Sequence, residues 1–240
     1  MRLEGRRVLV TGATGGIGTA LAHRLREAGA VPVLTGRDPA RLAALEAEGF
    51  TVVPGELRTA EGCARLVRDV LAAGPLDVVL HNAGVQHLMD FRAGAPLGAI
   101  EEELDVNLHA PLRLTTLLLP HLLSRPEAAV VNVTTGLALV PKQSAPVYCA
   151  TKAALHSFSQ SLRWQLEGTR VSVVEVLPPL VDTPMTAGRG RGKMSPQACA
   201  DAVVRGLQRG SPRVLVGKSR LLAVLVRVAP SLATRVMRRM

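Results

Sequence analysis

The chain has 240 residues, 48% hydrophobic and 20% charged, and a formal net charge of +10. That balance excludes a disordered chain. Three scattered cysteines (Cys63, Cys149, Cys199) exclude a disulfide framework or a metal cluster and fit a reducing compartment.

Residues 7–11 (RVLVT) are a short apolar run that predicts a strand. Glycines at 12, 15, 16 and 18 follow. A helix is predicted over 17–28, with Ile17, Leu21, Leu25 and Ala28 at helical spacing and Gly29 as its stop. Residues 31–35 predict a second strand. Asp38-Pro39 reads as an N-cap and first-turn proline opening a helix through 48. A third strand (50–53), a third helix (59–73) and a fourth strand (77–80) come next. Residues 101–123 predict a long helix bent at Pro111 or Pro120. A fifth strand (129–134), another long helix (147–166) and a sixth strand (171–177) complete the alternation. Ser195-Pro196 repeats the cap-plus-proline signature for a helix through 207, and 214–216 predict a last short strand.

Strands that read as continuous apolar runs are buried on both faces, as in a parallel sheet covered by helices. The alternation predicts an α/β fold, a doubly wound parallel sheet of about seven strands. No repeat, low-complexity tract or linker divides it, so residues 1–240 form one domain, with 217–240 as a basic helical tail. No apolar signal segment precedes the first strand, and the longest uncharged stretch, residues 128–141, is short of the ~18–20 residues of a membrane span. The cytoplasm is the expected location.

The positive charge is concentrated at one end. After Asp201 there is no acidic residue and there are nine basic ones. Aromatics at 2% leave little for bases to stack on, which argues against nucleic acid as a partner.

Two local patterns carry chemistry. In VLVTGATGGIGTALAHRL the glycines lie between a strand and a helix, where they permit a tight turn and a pyrophosphate at the helix N-terminus. In YCATK, the only tyrosine of the chain, Tyr148, stands four residues before Lys152. On a helix the two share a face. A nearby ammonium stabilises a phenolate, which prepares Tyr148 to exchange a proton with a substrate hydroxyl or carbonyl.

The spacing Thr11-Gly12-x-x-x-Gly16-x-Gly18, then Asn82-Ala83-Gly84, Asn107, Thr135, and Tyr148 with Lys152, resembles the classical short-chain dehydrogenase/reductase family from residue 7 to about 216. Within that family the chain is similar to a subgroup of bacterial oxidoreductases labelled DltE-like, which shares Pro178-Pro179 and segments like VTTGLALVP and PVYCATK. The resemblance implies hydride transfer between a nicotinamide and a hydroxyl/carbonyl pair of a small molecule. It makes Asn107, Thr135, Tyr148 and Lys152 catalytic. It assigns Thr11, Gly12, Thr14, Gly16, Ile17, Gly18, Arg37, Glu56, Leu57, Asn82, Ala83, Gly84, Tyr148, Lys152, Val181 and Thr183 to the cofactor, and implies no metal.

Thr135 replaces the family's serine and keeps the hydroxyl, with Thr134 as the alternative if the register slips. His81 replaces the first asparagine of an NNAG segment and reads as structural. Gly36-Arg37 stands at the end of the second strand, where an acidic residue would favour NAD and an arginine the 2′-phosphate of NADP. NADP(H) is therefore the preferred cofactor, with NAD(H) as the other. Residues 183–196 lie where the family has its substrate lid, with Arg189, Arg191 and Lys193 on it.

The resemblance also implies a homodimer or homotetramer. The tail, with apolar residues at 221, 222, 224, 225 and 228 among arginines, is expected to pack on the domain or a second subunit rather than on a membrane. Pro230 interrupts any long helix. The alternative to an enzyme is a scaffold or regulator that keeps the dinucleotide site without turnover.

Overall fold

The computed structural model describes residues 1–238. Five chain segments come first: β1 (Arg7–Thr11), α1 (Gly16–Glu27), β2 (Val31–Thr35), α2 (Pro39–Ala47) and β3 (Thr51–Val52). Then come α3 (Ala60–Ala72), β4 (Val78–His81), α4 (Leu97–Leu104), α5 (Ala110–Leu123), β5 (Ala128–Val133) and α6 (Pro146–Gln165). The chain continues through β6 (Val171–Leu177), α7 (Pro196–Gln208), β7 (Arg213–Leu215), α8 (Ser219–Val228) and α9 (Pro230–Arg238). The seven strands make one sheet in the order β3-β2-β1-β4-β5-β6-β7, every neighbouring pair parallel.

Side-chain alternation along β1 shows why the sheet is covered twice. Val8 and Val10 point into a core with Leu21, Leu25, Val203 and Leu207 of α1 and α7. Leu9 between them points into a second core with Leu66, Val70, Leu114 and Leu118 of α3 and α5. All four residues of β4 and all six of β5 are buried. The strand order reverses between β1 and β4, and the crevice at the carboxyl ends there is where ligands of open α/β sheets bind.

The caps expected from sequence are formed. Asp38 accepts a hydrogen bond from the Arg41 N–H, 3.1 Å, and Ser195 accepts one from the Ala198 N–H, 3.2 Å. Most element boundaries fall within one residue of expectation; β3 is trimmed to two residues. The expected long helix over 101–123 starts earlier, at Leu97, and is interrupted. Residues Asp105–His109 form a π-helical turn between α4 and α5. The cause is Pro111, which has no N–H to offer the Asn107 carbonyl four residues back. Pro120 is accommodated inside α5. Pro230 interrupts the helical tail as expected, starting a second helix after the break at Ala229. Among the described residues no helix is long and apolar enough to cross a membrane.

Candidate active site

The glycine loop is held by the segment after β4. Asn82 donates from Nδ2 to the carbonyls of Thr11 (3.0 Å) and Gly12 (3.2 Å). Thr11 Oγ1 in turn accepts the N–H groups of Asn82 and Ala83, both at 3.0 Å. Gly12 has φ +67°, and a Cβ on it would lie 2.7 Å from Ala83 Cα. A Cβ on Gly18 would lie 2.1 Å from the Gly12 carbonyl oxygen. These contacts bring the first turn of α1 against the loop, and that turn contains no acidic residue. Its free N–H groups and positive dipole end form a cradle of the size and sign that a pyrophosphate needs. The residues present thus fit a dinucleotide.

Thr183 completes the cradle from the other side. A Cβ on Gly16 would come within 3.0 Å of its Cγ2. Val181, buried beside it, bridges to Met194, and the Asp182 N–H and Met194 N–H bonds close the base of the loop between them. Ile17 packs its side chain into the core, so only its backbone is available to a ligand. Thr14 abuts Gly36, where a Cβ would meet its side chain at 2.8 Å.

A second cluster forms on the π turn. The Asn107 side chain accepts from the Val85 N–H (2.8 Å) and donates to the Val85 carbonyl (2.9 Å) and Thr151 (3.3 Å). A Cβ on Gly84 would lie 3.2 Å from Asn107 Oδ1 and 3.6 Å from Lys152 Nζ. The loop after β4 therefore links the glycine cradle to Asn107 and Lys152 within three residues. Lys152 is buried and donates to the Val133 carbonyl, 2.9 Å.

Thr134 and Thr135 divide their work clearly. Thr134 is buried, and its hydroxyl is committed to Glu175 Oε1 (2.7 Å) and the Val176 carbonyl (3.2 Å). Thr135 is half-buried and accepts only a 3.3 Å bond from the Leu137 N–H, leaving its own O–H to give.

Lys152 and Tyr148 share a helix face without pairing. The ammonium lies 6.0 Å from the phenol ring centroid and is turned to Val133. Burial pushes the Tyr148 hydroxyl above its ordinary value, with Cys149 and Glu103 adding to the rise and Arg189 opposing it. Burial also lowers Lys152 to about 8. Four residues of helix bring the pair to one face; they do not make it an ion pair.

A match to the sequence profile of the short chain dehydrogenases covers residues 6–193. The chain belongs to the short-chain dehydrogenase/reductase family. It is 43% identical over 187 residues to the oxidoreductase DltE of Bacillus subtilis, covering 76% of this chain and 74% of that one. A Burkholderia cenocepacia short chain dehydrogenase in complex with NADP superimposes with a TM-score of 0.87 at 28% identity, covering 99% of each chain. A Burkholderia phymatum member in complex with NAD shares the fold, with a TM-score of 0.86 at 20% identity over 100% of this chain and 97% of that one.

Other positions singled out in the sequence have partners within the chain. His81 is buried, pairs with Thr115 Oγ1 at 3.1 Å, and is pushed down to about 3 by burial and the Lys152 charge; it stays neutral. Glu56 is exposed and spends its carboxylate on the Arg58 N–H, 2.7 Å, while Leu57 is buried under α3. Arg37 donates to Glu102 Oε1 at 2.7 Å, and Glu102 also meets His87 Nε2 at 3.0 Å. On the lid, Lys193 is tied to Thr186 and Asp182, and Arg189 reaches Gln86, 2.8 Å.

Two residues were not visible in sequence. Arg41, in the first turn of α2, donates to the Thr14 carbonyl at 3.0 Å and so sits on the glycine loop. Glu103 is buried, accepts the His87 N–H with one oxygen and has no partner for the other. Burial pushes its carboxyl up, while its neighbour Glu102 is held down chiefly by Arg37. Adjacent carboxyls are thus shifted in opposite directions, one by burial and one by its ion pair. Only their neighbouring elements reveal it.

The buried lysine yields a stability prediction. The folded value of about 8 lies below the ~10.4 of an unfolded lysine. The unfolded chain therefore binds more protons between these limits, and stability rises with pH across that window. Below pH 8 the penalty is complete, about 3 kcal/mol. Replacing Lys152 by methionine removes it but leaves the Val133 carbonyl without its donor, which costs about 1 kcal/mol. Lys152→Met is expected to unfold in more urea than the native chain at pH 7, with the gap closing towards pH 10. A variant less stable at pH 7 would contradict this account.

Proposed function

We propose that the protein is an NADP(H)-dependent oxidoreductase that moves hydride between the nicotinamide and a small-molecule hydroxyl or carbonyl, with Tyr148 as the acid/base. The observation that carries this reading is the three-residue path Asn82-Ala83-Gly84. It clamps the glycine cradle at one end and meets Asn107 and Lys152 at the other. One short segment therefore joins the glycine cradle to the groups proposed to transfer the proton.

In this reading Thr135 holds the reacting oxygen by its free O–H, and Tyr148 passes the proton. Lys152 and Asn107 replenish it from solvent. The bound nicotinamide supplies or accepts the hydride and, when oxidised, adds the positive charge that Lys152 alone does not bring to the phenol. Val181 and Thr183 would hold the nicotinamide end. Exposed Leu117 on α5 and Trp164 on α6 support a homodimer formed through these helices.

Arg37 and Arg41 flank Gly36 at the adenosine end and provide two guanidinium groups for a 2′-phosphate. The Arg37–Glu102 pair is half exposed on the arginine side, so it opens at little cost. Purified protein is expected to bind NADPH at least tenfold more tightly than NADH, and Arg37→Ala is expected to erase most of the difference. Equal affinities in the unaltered chain, measured by fluorescence titration, would reject the assignment. Turnover itself is tested by following NADPH oxidation against a panel of ketones and aldehydes.

A further inference from the structure

We propose that α8 and α9 form a surface anchor that lies in the headgroup region of an anionic lipid bilayer. The two helices pack on each other, and α8 rests on the domain through Leu222, whose Cδ2 would be 2.7 Å from a Cβ on Gly136, and through buried Ser219. That contact occupies one side of α8. The opposite side turns Leu221, Val224 and Val228 outward, 73%, 61% and 76% exposed. Their i, i+3, i+7 spacing makes a continuous apolar stripe. On α9, Leu232 and Val236 repeat the arrangement at i, i+4, each about half exposed.

The charges beside these stripes select the partner. Lys218, Arg220, Arg227, Arg235 and Arg238 are all exposed, and among the described residues none is ion-paired with a carboxylate. The sequence contains no Asp or Glu after Asp201. A second copy of this surface would bring like charges together, which opposes a self-complementary contact. An anionic headgroup layer satisfies both features, accepting aliphatic side chains at the acyl boundary and arginines among the phosphates. The helices have 10 and 9 residues, so the protein lies on the bilayer and does not span it.

The geometry also sets the orientation. Gly136, under α8, directly follows Thr135 in the chain. Arg238 of α9 joins Leu88, Phe91, Pro146 and the Asp90–Arg92 ion pair around a hollow beside the first turn of α6. Leu88 and Phe91 are themselves more than half exposed. The anchor therefore adjoins the edge of the active-site crevice, with further apolar side chains flanking it.

The test is cosedimentation of the full-length protein with vesicles of phosphatidylglycerol and phosphatidylcholine, and with phosphatidylcholine alone. Light scattering of the free protein gives its oligomeric state in parallel. Binding is expected only with phosphatidylglycerol. Arg220→Gln with Arg227→Gln and Arg235→Gln is expected to weaken it roughly a hundredfold, about fivefold per arginine. Leu221→Ser with Val224→Ser and Val228→Ser is expected to abolish it while leaving the thermal midpoint unchanged, since these side chains already face solvent. Absence of binding by the unaltered protein overturns the proposal. Binding that survives the serine changes overturns it as well, because it reports adsorption through charge elsewhere. An oligomer that the serine changes dissociate, without vesicle binding, makes this face a subunit interface instead. None of these outcomes depends on the proposed oxidoreductase chemistry.

Discussion

Replacing Tyr148 by phenylalanine is expected to lower kcat by about a thousandfold or more, within the ~10²–10⁴ range of a positioned general acid. NADPH affinity should change by no more than a fewfold. The substitution keeps the ring and deletes one oxygen from a side chain whose neighbours hold it by packing. Three neighbouring groups offer no substitute for that proton. Thr134 is locked to Glu175 and Val176, His81 is neutral and buried, and Cys149 is buried with its thiol pushed up. Single-turnover kinetics with a carbonyl substrate found in the panel separates the chemical step from binding. A variant that retains turnover within tenfold of the native rate removes Tyr148 from the role of proton donor. A loss of NADPH binding in parallel would mean instead that the phenol is needed to shape the cofactor pocket.

The second large effect is expected at Gly18. An alanine methyl there would lie 2.1 Å from the Gly12 carbonyl oxygen, 2.8 Å from Ala13 Cα and 2.9 Å from Asn82 Nδ2. Two of the three obstacles are backbone, so the loop itself must move, and overpacking of this kind costs roughly 1–3 kcal/mol. The movement also pulls Asn82 off the Gly12 carbonyl and opens the cradle. Gly18→Ala is expected to lose dinucleotide affinity by roughly fivefold to a hundredfold, since each ~1.4 kcal/mol is tenfold. Gly98→Ala in α4 is the control. A Cβ there meets nothing within 4 Å, and alanine should leave binding intact while raising stability by up to about 1 kcal/mol. Similar dinucleotide affinities for the two variants, by calorimetry, would show that close packing at Gly18 is not what forms the site.

Much of this fold was legible because local pattern and tertiary need agree. The apolar runs VLV and VVNV can only be buried on both faces, and a parallel sheet between helix layers is the arrangement that does it. The glycine spacing and the Tyr148–Lys152 interval are likewise short-range, and the structure places both at the carboxyl edge of the sheet. What sequence could not show is which partner a polar group finds across long separations. Arg37 reaches Glu102 from 65 positions away, and Lys152 turns to Val133 from 19. The choice between Thr134 and Thr135 rests on the register of β5 against β6, which fixes Thr134 beneath Glu175. The π turn carrying Asn107 is a similar case. Pro111 announces a break, but where the helix absorbs it depends on Val85 accepting and giving hydrogen bonds to the asparagine.

Because all seven strands run the same way, the molecule has a working rim and a load-carrying rim. At the latter, where strands begin, Asp77 accepts from the Arg7 N–H (3.0 Å) and from Arg125 (3.0 Å), while Arg6 spans to Glu127 (3.0 Å). Directed evolution can treat the two as separate design spaces. Libraries for new substrate preference belong in the turns after β4, β5 and β6, and libraries for heat tolerance belong around Asp77, where changes leave the chemistry at the far edge untouched.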